Sequence, residues 1–392
     1  MALQLEAILE EARARTGLED FGPDDFLPGL ELLLADLNRE RAIPADRLPA
    51  LRARLLRLLS NRLWMEKDRR EHPEIEAEEI RAPVEIVALP RTGSTKLHRL
   101  LAASGDFQYL PMWKTHMFAR IPGLDDGGEA RRIAEVREYE AWMLRASPDI
   151  RSGHPMFTDE AEEDQWLMEC SFRRTLTAIM FKAQGYTQWL AGQSPAPAYH
   201  YLRRQLQYLQ WQNRQVRGAQ EAAKPWLLKS PDHFGCEALL GQVLPDVRFL
   251  VTHRDPVECL PSASVMAKQF VRLYTGLDDP LLAAGPLMQA VSQMARLHLE
   301  WRRSADESAD APVLDIGFRQ LNTDGPGAAR AVYNFLGMEL SGRAESAMRA
   351  WEEDNRRDKH GRNVYMLEDS GATAAQIRGA FGGYIERYAQ YL

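Results

Sequence analysis

Along the chain, apolar residues first recur at helical spacing and then gather into short continuous runs. Leu3, Leu5, Ile8 and Leu9 open one amphipathic stretch; Phe26, Leu27, Leu30, Leu33, Leu34 and Leu37 make a second; Leu48, Leu51, Leu55, Leu56, Leu58 and Leu59 make a third. Recurrence at i, i+3 and i+4 puts an apolar stripe on one face of a helix. Three helices are therefore predicted, broken at Pro23 and Pro44, with Pro28 in the first turn of the second. The short runs read as strands: Val84 to Leu89, Phe107 to Leu110, Trp226 to Lys229, Val247 to Thr252 and Val313 to Ile316. Runs made mostly of apolar and β-branched residues suit strands covered on both faces, and helical sequence between the runs predicts a parallel sheet with crossover helices.

This pattern divides the chain into an N-terminal helical cap, 1–80, and an α/β domain, 81–392, with a helical insert at about 111–222. The cap carries no catalytic constellation and reads as a covering or dimerisation element. The insert concentrates aromatic residues, including Trp113, Trp142, Trp166, Tyr199 and Trp211. Most of these belong to a core, while some helices of the insert are expected to wall an apolar acceptor pocket.

Of the 392 residues, 45% are hydrophobic and 27% charged, which is ordinary globular composition. A net charge of −7 leaves no global basic footprint, which argues against nucleic acid but permits a local basic pocket. Three cysteines, Cys170, Cys236 and Cys259, are too few for a disulfide scaffold and lack metal-ligand spacing. No apolar run reaches membrane-spanning length, and the start Met1-Ala2-Leu3-Gln4-Leu5-Glu6 lacks the basic and apolar regions of a signal peptide. A cytoplasmic protein is expected.

The most informative stretch is Leu89-Pro90-Arg91-Thr92-Gly93-Ser94-Thr95-Lys96-Leu97, a strand end, a tight loop and a helix start. Free N–H groups at a helix N-terminus attract anions. Ser94 and Thr95 add hydroxyls, and Arg91 adds a planar cation suited to phosphate. The loop is not a Walker A motif, because Lys96 follows the hydroxyls and the opening glycine is missing. Further chemistry falls at other strand ends: Lys229-Ser230-Pro231-Asp232-His233 and His253-Arg254-Asp255, with Ser262 eight residues beyond Arg254. In parallel sheets, ligands sit beyond those ends.

Taken together, Pro90 to Thr95 and Arg254 to Ser262 resemble the two signature elements of sulfotransferases that use 3′-phosphoadenosine 5′-phosphosulfate (PAPS), in their bacterial branch. Leu227 to His233, Leu321 to Gly337 and Asn363 to Asp369 are also similar to segments of that family, so the likeness covers about 84–392. It implies a P-loop-kinase-like α/β fold with a parallel central sheet and flanking helices. It also implies PAPS as co-substrate, 3′,5′-ADP (PAP) as product, and a small hydroxyl compound, apolar or aromatic, as acceptor. Carried over by position, Arg91, Thr92, Gly93, Ser94 and Thr95 hold the 5′-phosphosulfate, while Arg254 and Ser262, with Ser264 as a weaker candidate, hold the 3′-phosphate. Two departures stand out. Many bacterial members carry Glu after a Trp where this chain has Trp113-Lys114, and a Gly-rich C-terminal loop is replaced by the basic Asn355 to Arg362, which makes Arg362 a cofactor-binding candidate.

Sulfuryl transfer needs in-line geometry and charge stabilisation, with little covalent chemistry by the protein. Arg91 and Lys229 are candidates to meet the developing charge, and the scheme needs no metal. For the general base, His233 ranks first because it follows Lys229 at a strand end; Glu163, in Glu160-Ala161-Glu162-Glu163-Asp164, ranks second. His154 and His116 rank below them, and His98 reads as structural. The competing readings are a nucleotide or small-molecule kinase on a related fold, and a degenerate sulfotransferase that only binds.

Overall fold

A computed structural model describes residues 3–39, 43–278, 281–307, 313–356, 359, 361 and 363–392. Its centre is a four-stranded sheet: β1 (Val84–Ala88), β2 (Leu227–Lys229), β3 (Arg248–His253) and β4 (Val313–Gly317). The spatial order is β2-β1-β3-β4 and every pairing is parallel. All five residues of β1 are buried, as expected for a central strand with helices on both faces. Strand order reverses about β1, so the crevice beyond the C-terminal ends of β1 and β3 is the ligand position this topology creates.

The predicted strand at Phe107 to Leu110 does not form. Gln108 makes one parallel bridge to Trp226, accepting from the Leu227 amide at 2.7 Å and donating to the Pro225 carbonyl at 3.0 Å. Pro111 then turns the chain into the short Met112–His116 helix, and having no N–H it cannot extend a ladder.

The three N-terminal helices form as the periodicity requires: α1 (Leu5–Thr16), α2 (Leu27–Arg39) and α3 (Leu48–Glu71). Their apolar faces join the same core as the insert and one face of the sheet. Two buried arginines of α3 are matched from outside it. Arg62 donates to the carbonyls of Phe21, Pro23 and Cys170 at 2.7–2.9 Å, and Arg54 pairs with Glu169. Glu169 also accepts from Arg174, whose Nε is 3.1 Å from Asp232. Buried polar groups need such partners, so this chain of ion pairs fixes α3 and the insert against the turn after β2.

Among the described residues no helix is long and apolar enough to cross a membrane.

Candidate active site

Beyond the β1 and β3 ends lies a cavity of about 1200 Å³. Its floor begins with the loop from Pro90 to Lys96. Arg91 has φ +70° and Gly93 φ +88°, a turn that brings successive N–H groups round to one side. A side chain at Gly93 would meet the Phe318 ring at 3.1 Å as well as being strained. The helix α4 (Ser94–Ala103) starts here with no side-chain cap on its first amides. Gly93, Ser94, Thr95 and Lys96 line the cavity. Thr92 does not: its hydroxyl bonds the Leu89 carbonyl at 3.0 Å and Thr252 Oγ1 at 2.7 Å in the interior. The expected Thr92 side-chain donor is therefore turned away from any ligand, because the short Thr252 side chain leaves a polar partner beneath the loop.

Arg91 and Arg254, from separate strand ends, enter the same cavity. Arg254 Nη1 donates to the Arg91 carbonyl at 3.2 Å, Nη2 to the Tyr365 hydroxyl at 2.9 Å, and Nε to Glu258 at 3.0 Å. Its guanidinium lies 4.3 Å from the Phe318 ring centre. Arg91 donates to Ser262 Oγ at 3.0 Å and to the Gly153 carbonyl at 2.5 Å. Burial, and then the nearby charge of Arg254, push the Arg91 guanidinium below its ordinary basicity. Ser262 Oγ also accepts from Asn363 at 3.0 Å, so its lone pairs are occupied and its own proton is free to donate. Ser264, two residues on and so about half a turn round the helix, is buried and bonds back to the Leu260 carbonyl at 3.0 Å, outside the cavity. Arg356, Lys359 and Gly361 border the cavity, as the basic C-terminal segment implies; Arg362 lies outside the described residues.

Glu163 lines the cavity and is largely buried. It pairs with Lys229 and accepts from Gln165; Lys229 Nζ also donates to Thr95 Oγ1 at 3.2 Å. The phosphate loop, the strand-end lysine and a carboxylate are thus hydrogen-bonded in series. The acidic run at 160–164 is not a solvated helix start: Glu162, Glu163 and Asp164 are all buried. His154 also lines the cavity, with Nε2 3.2 Å from Glu162. Burial alone would raise the Glu162 carboxyl, yet His154, Lys229 and Arg99 hold it well below the usual range.

His233, ranked first as base, is 0% exposed and does not border the cavity. Its Nε2 is 2.8 Å from Asp164 Oδ2 and its Nδ1 2.8 Å from the Tyr199 hydroxyl. The turn that places Pro231 and Asp232 on the wall points the imidazole inward. Of the two leading candidates, only Glu163 borders the cavity. His116 is buried away from the cavity, and burial drives it well below its normal pKa. His98 is structural as read, bonded at 3.3 Å to the Leu227 carbonyl and pushed down to about 3 by burial and the Lys229 charge.

Folding also assembles two groups with donor atoms within 4.8 Å of one another, Glu85-Asp164-His233 and His154-Glu162-Glu163, which no local spacing in the sequence shows. In the first, Nε2 of His233 faces Asp164 and Nδ1 faces the Tyr199 hydroxyl.

The far lobe of the cavity is aliphatic. Leu176 and Ile179 come from the Thr175–Phe181 helix, Met266 and Phe270 from Pro256–Thr275, and Leu287, Val291 and Met294 from Leu281–Asp306. On the second of these helices Ser262, Met266 and Phe270 are four residues apart, so one face runs from the anion end into the apolar end. To this apolar part of the wall the insert contributes Leu176 and Ile179; none of its highlighted aromatic residues borders the cavity. Lys114, at the departure from the family pattern, is also elsewhere. Its Nζ donates to Asn213 at 2.5 Å, and burial pushes it down to about 7.

Solved structures with this architecture include the sulfotransferase STF1 of Mycobacterium tuberculosis H37Rv, at 24% identity, TM-score 0.79, and coverage of 97% of this chain and 99% of that one. The sulfotransferase STF9 of Mycobacterium avium aligns at 22% identity and TM-score 0.83, covering 98% and 96%. These likenesses bear on the fold. No curated protein sequence matches the chain. The family model described as "Sulfotransferase family" matches residues 83–342, a span holding the phosphate loop, Glu163, Lys229, Arg254 and Ser262. On that match the chain belongs to the sulfotransferase family.

Proposed function

We propose that this protein transfers a sulfuryl group from PAPS to the hydroxyl of a small apolar acceptor. The observation that carries the reading is the approach of two guanidinium groups, Arg91 and Arg254, within one cavity and without a carboxylate partner for Arg91 among the described residues. Like charges held together below a protein surface are costly unless an anion joins them. The uncapped start of α4 and the free hydroxyl protons of Ser262 and Thr95 face the same space. Such a donor set fits a nucleotide with separated anionic groups.

The donor, when bound, supplies an activated sulfuryl group whose bond to a bridging phosphate oxygen breaks. In this reading Gly93, Ser94, Thr95 and Arg91 hold the 5′ end, while Arg254 and Ser262 hold the 3′-phosphate. The α4 N-terminus and Arg91 meet the negative charge that grows on the departing phosphate, and being fixed beforehand they need little reorganisation. Lys229, which does not itself border the cavity, acts through the two groups that do, holding Thr95 Oγ1 by a hydrogen bond and Glu163 by an ion pair. Glu163 accepts the acceptor's hydroxyl proton as the oxygen–sulfur bond forms. The aliphatic lobe excludes water and favours an acceptor with a hydrocarbon body.

The departure at Lys114 lies outside the cavity, so it does not favour a binding-only protein. The test is incubation with isotope-labelled PAPS and a panel of aliphatic alcohols, alicyclic alcohols, phenols and sugars, read by product mass. Sulfated product from the apolar alcohols supports the reading. Binding of PAP with no sulfated product from any of them overturns it.

A further inference from the structure

Behind the cavity floor lies a cluster that the transfer scheme does not use. Glu85 is the one ionisable residue of β1; it is 0% exposed, and its carboxylate has no side-chain hydrogen-bond partner, with the Ser230 amide beside it. Asp164 is equally buried: Oδ2 meets His233 Nε2, while Oδ1 is unpartnered. Carboxylate oxygens of both residues and a ring nitrogen of His233 lie within 4.8 Å of one another. Two carboxylates this close in a sheet core repel each other and both lose their hydration, which favours a proton on the less well-bonded one, Glu85.

We propose that Glu85 is a neutral carboxylic acid beside the Asp164 carboxylate, and that its proton keeps the catalytic floor in position. Asp164 adjoins Glu163 in sequence, His233 sits in the turn after Lys229, and Lys229 pairs across the sheet with Ile86, next to Glu85. The cluster therefore grips both segments whose side chains form the Lys229–Glu163 pair. An ionised Glu85 would compete with Glu163 for the Lys229 ammonium.

The groups around Glu85 are Lys229 from β2, His233 from the following turn with Tyr199 beyond it, Asp164 and Glu163 from the acidic loop, and His98 from α4, which lies near Lys229. Its register partner on β3 is the apolar Phe249. Burial first, and the Asp164 charge second, raise the Glu85 carboxyl well above its ordinary range. A carboxyl raised on folding binds a proton the unfolded chain has lost, so its contribution to stability falls as pH rises from the ordinary carboxyl range towards the raised value.

The protonation state does not depend on the proposed reaction, whereas the positioning role does, and the experiment separates them. Wild type, Glu85→Gln and Glu85→Leu are compared by infrared spectroscopy, by thermal melting against pH and by kcat against pH. Wild type should show a protonated-carboxyl band at neutral pH that Glu85→Gln lacks, and Glu85→Gln should melt above wild type at alkaline pH. With an acceptor in hand, the alkaline loss of kcat should move to higher pH in Glu85→Gln at unchanged KM for PAPS. Glu85→Leu, which has no polar group to set beside Asp164 and the Ser230 amide, should lose about ten- to a hundredfold in kcat through misplacement of the floor. Absence of the band, identical pH profiles in wild type and Glu85→Gln, or a stoichiometric metal found by elemental analysis would each overturn the proposal. The band and the melting curves decide the protonation even if no acceptor is ever sulfated.

Discussion

Removing the guanidinium of Arg254 should weaken binding of 3′,5′-ADP far more than binding of 5′-AMP. Arg254 reaches the cavity from the end of β3, held by Tyr365 at 2.9 Å, by the Arg91 carbonyl at 3.2 Å and over the Phe318 ring at 4.3 Å. A hydrogen bond to a charged group is worth about 1.5–3 kcal/mol, and each 1.4 kcal/mol or so is tenfold in affinity. Arg254→Ala also releases Tyr365 and Phe318, a loss that both nucleotides share. The difference between the two losses isolates the 3′-phosphate, as in a double-mutant cycle. Isothermal titration calorimetry of wild type and variant with both nucleotides should give an excess loss for 3′,5′-ADP of about ten- to a hundredfold. Equal losses would show that Arg254 props the wall without touching the phosphate, and the assignment of the two ends of the cavity would fail.

Three further outcomes are expected. Glu163→Gln should lower kcat by about 10²- to 10⁴-fold with 3′,5′-ADP affinity nearly unchanged; full turnover would move the base role to His154, which borders the same cavity. Ala290→Trp, in the aliphatic lobe, should raise KM for an apolar acceptor and leave nucleotide affinity intact; unchanged acceptor kinetics would place the acceptor elsewhere. Asp315 should be a determinant of acid stability. Burial would raise its carboxyl, but hydrogen bonds from His253 and Arg302 bring it down to about 2. A carboxyl depressed on folding contributes stability above its ordinary range and loses it as pH falls through the depressed value, so Asp315→Asn should cost about 2 kcal/mol at neutral pH and almost nothing near pH 2. A pH-independent loss in denaturant titrations would contradict that linkage.

What could be read from the sequence followed how locally each feature is encoded. Strands β1, β2, β3 and β4 and helices α1 to α3 formed where apolar periodicity put them, because burying those faces is the main driving force. The run at 107–110 had the composition of a strand but met Pro111 before a ladder could grow. Arg91 and Arg254 were legible because strand ends in a parallel sheet converge, although Tyr365 and Asn363, which orient Arg254 and Ser262, are more than 100 residues away in sequence. His233 shows the limit of strand-end reasoning: the following turn decides which side chains face the cavity, and here it turned Asp232 outward and the imidazole in. Glu163 was undervalued because an acidic run usually means solvent, and only the fold reveals Lys229 and Gln165 against it. The buried Glu85 looked like one polar residue in an apolar run; its partners come from loops far along the chain.

The central claim is that one adenosine nucleotide bridges the two anion ends of a single cavity. A crystal structure of the complex with 3′,5′-ADP tests it most directly. The expected result is the 5′-phosphate on the amides from Gly93 to Thr95 beside Arg91, with the 3′-phosphate between Arg254 and Ser262. A nucleotide lying elsewhere, or one engaging only one of the two arginines, would contradict the account.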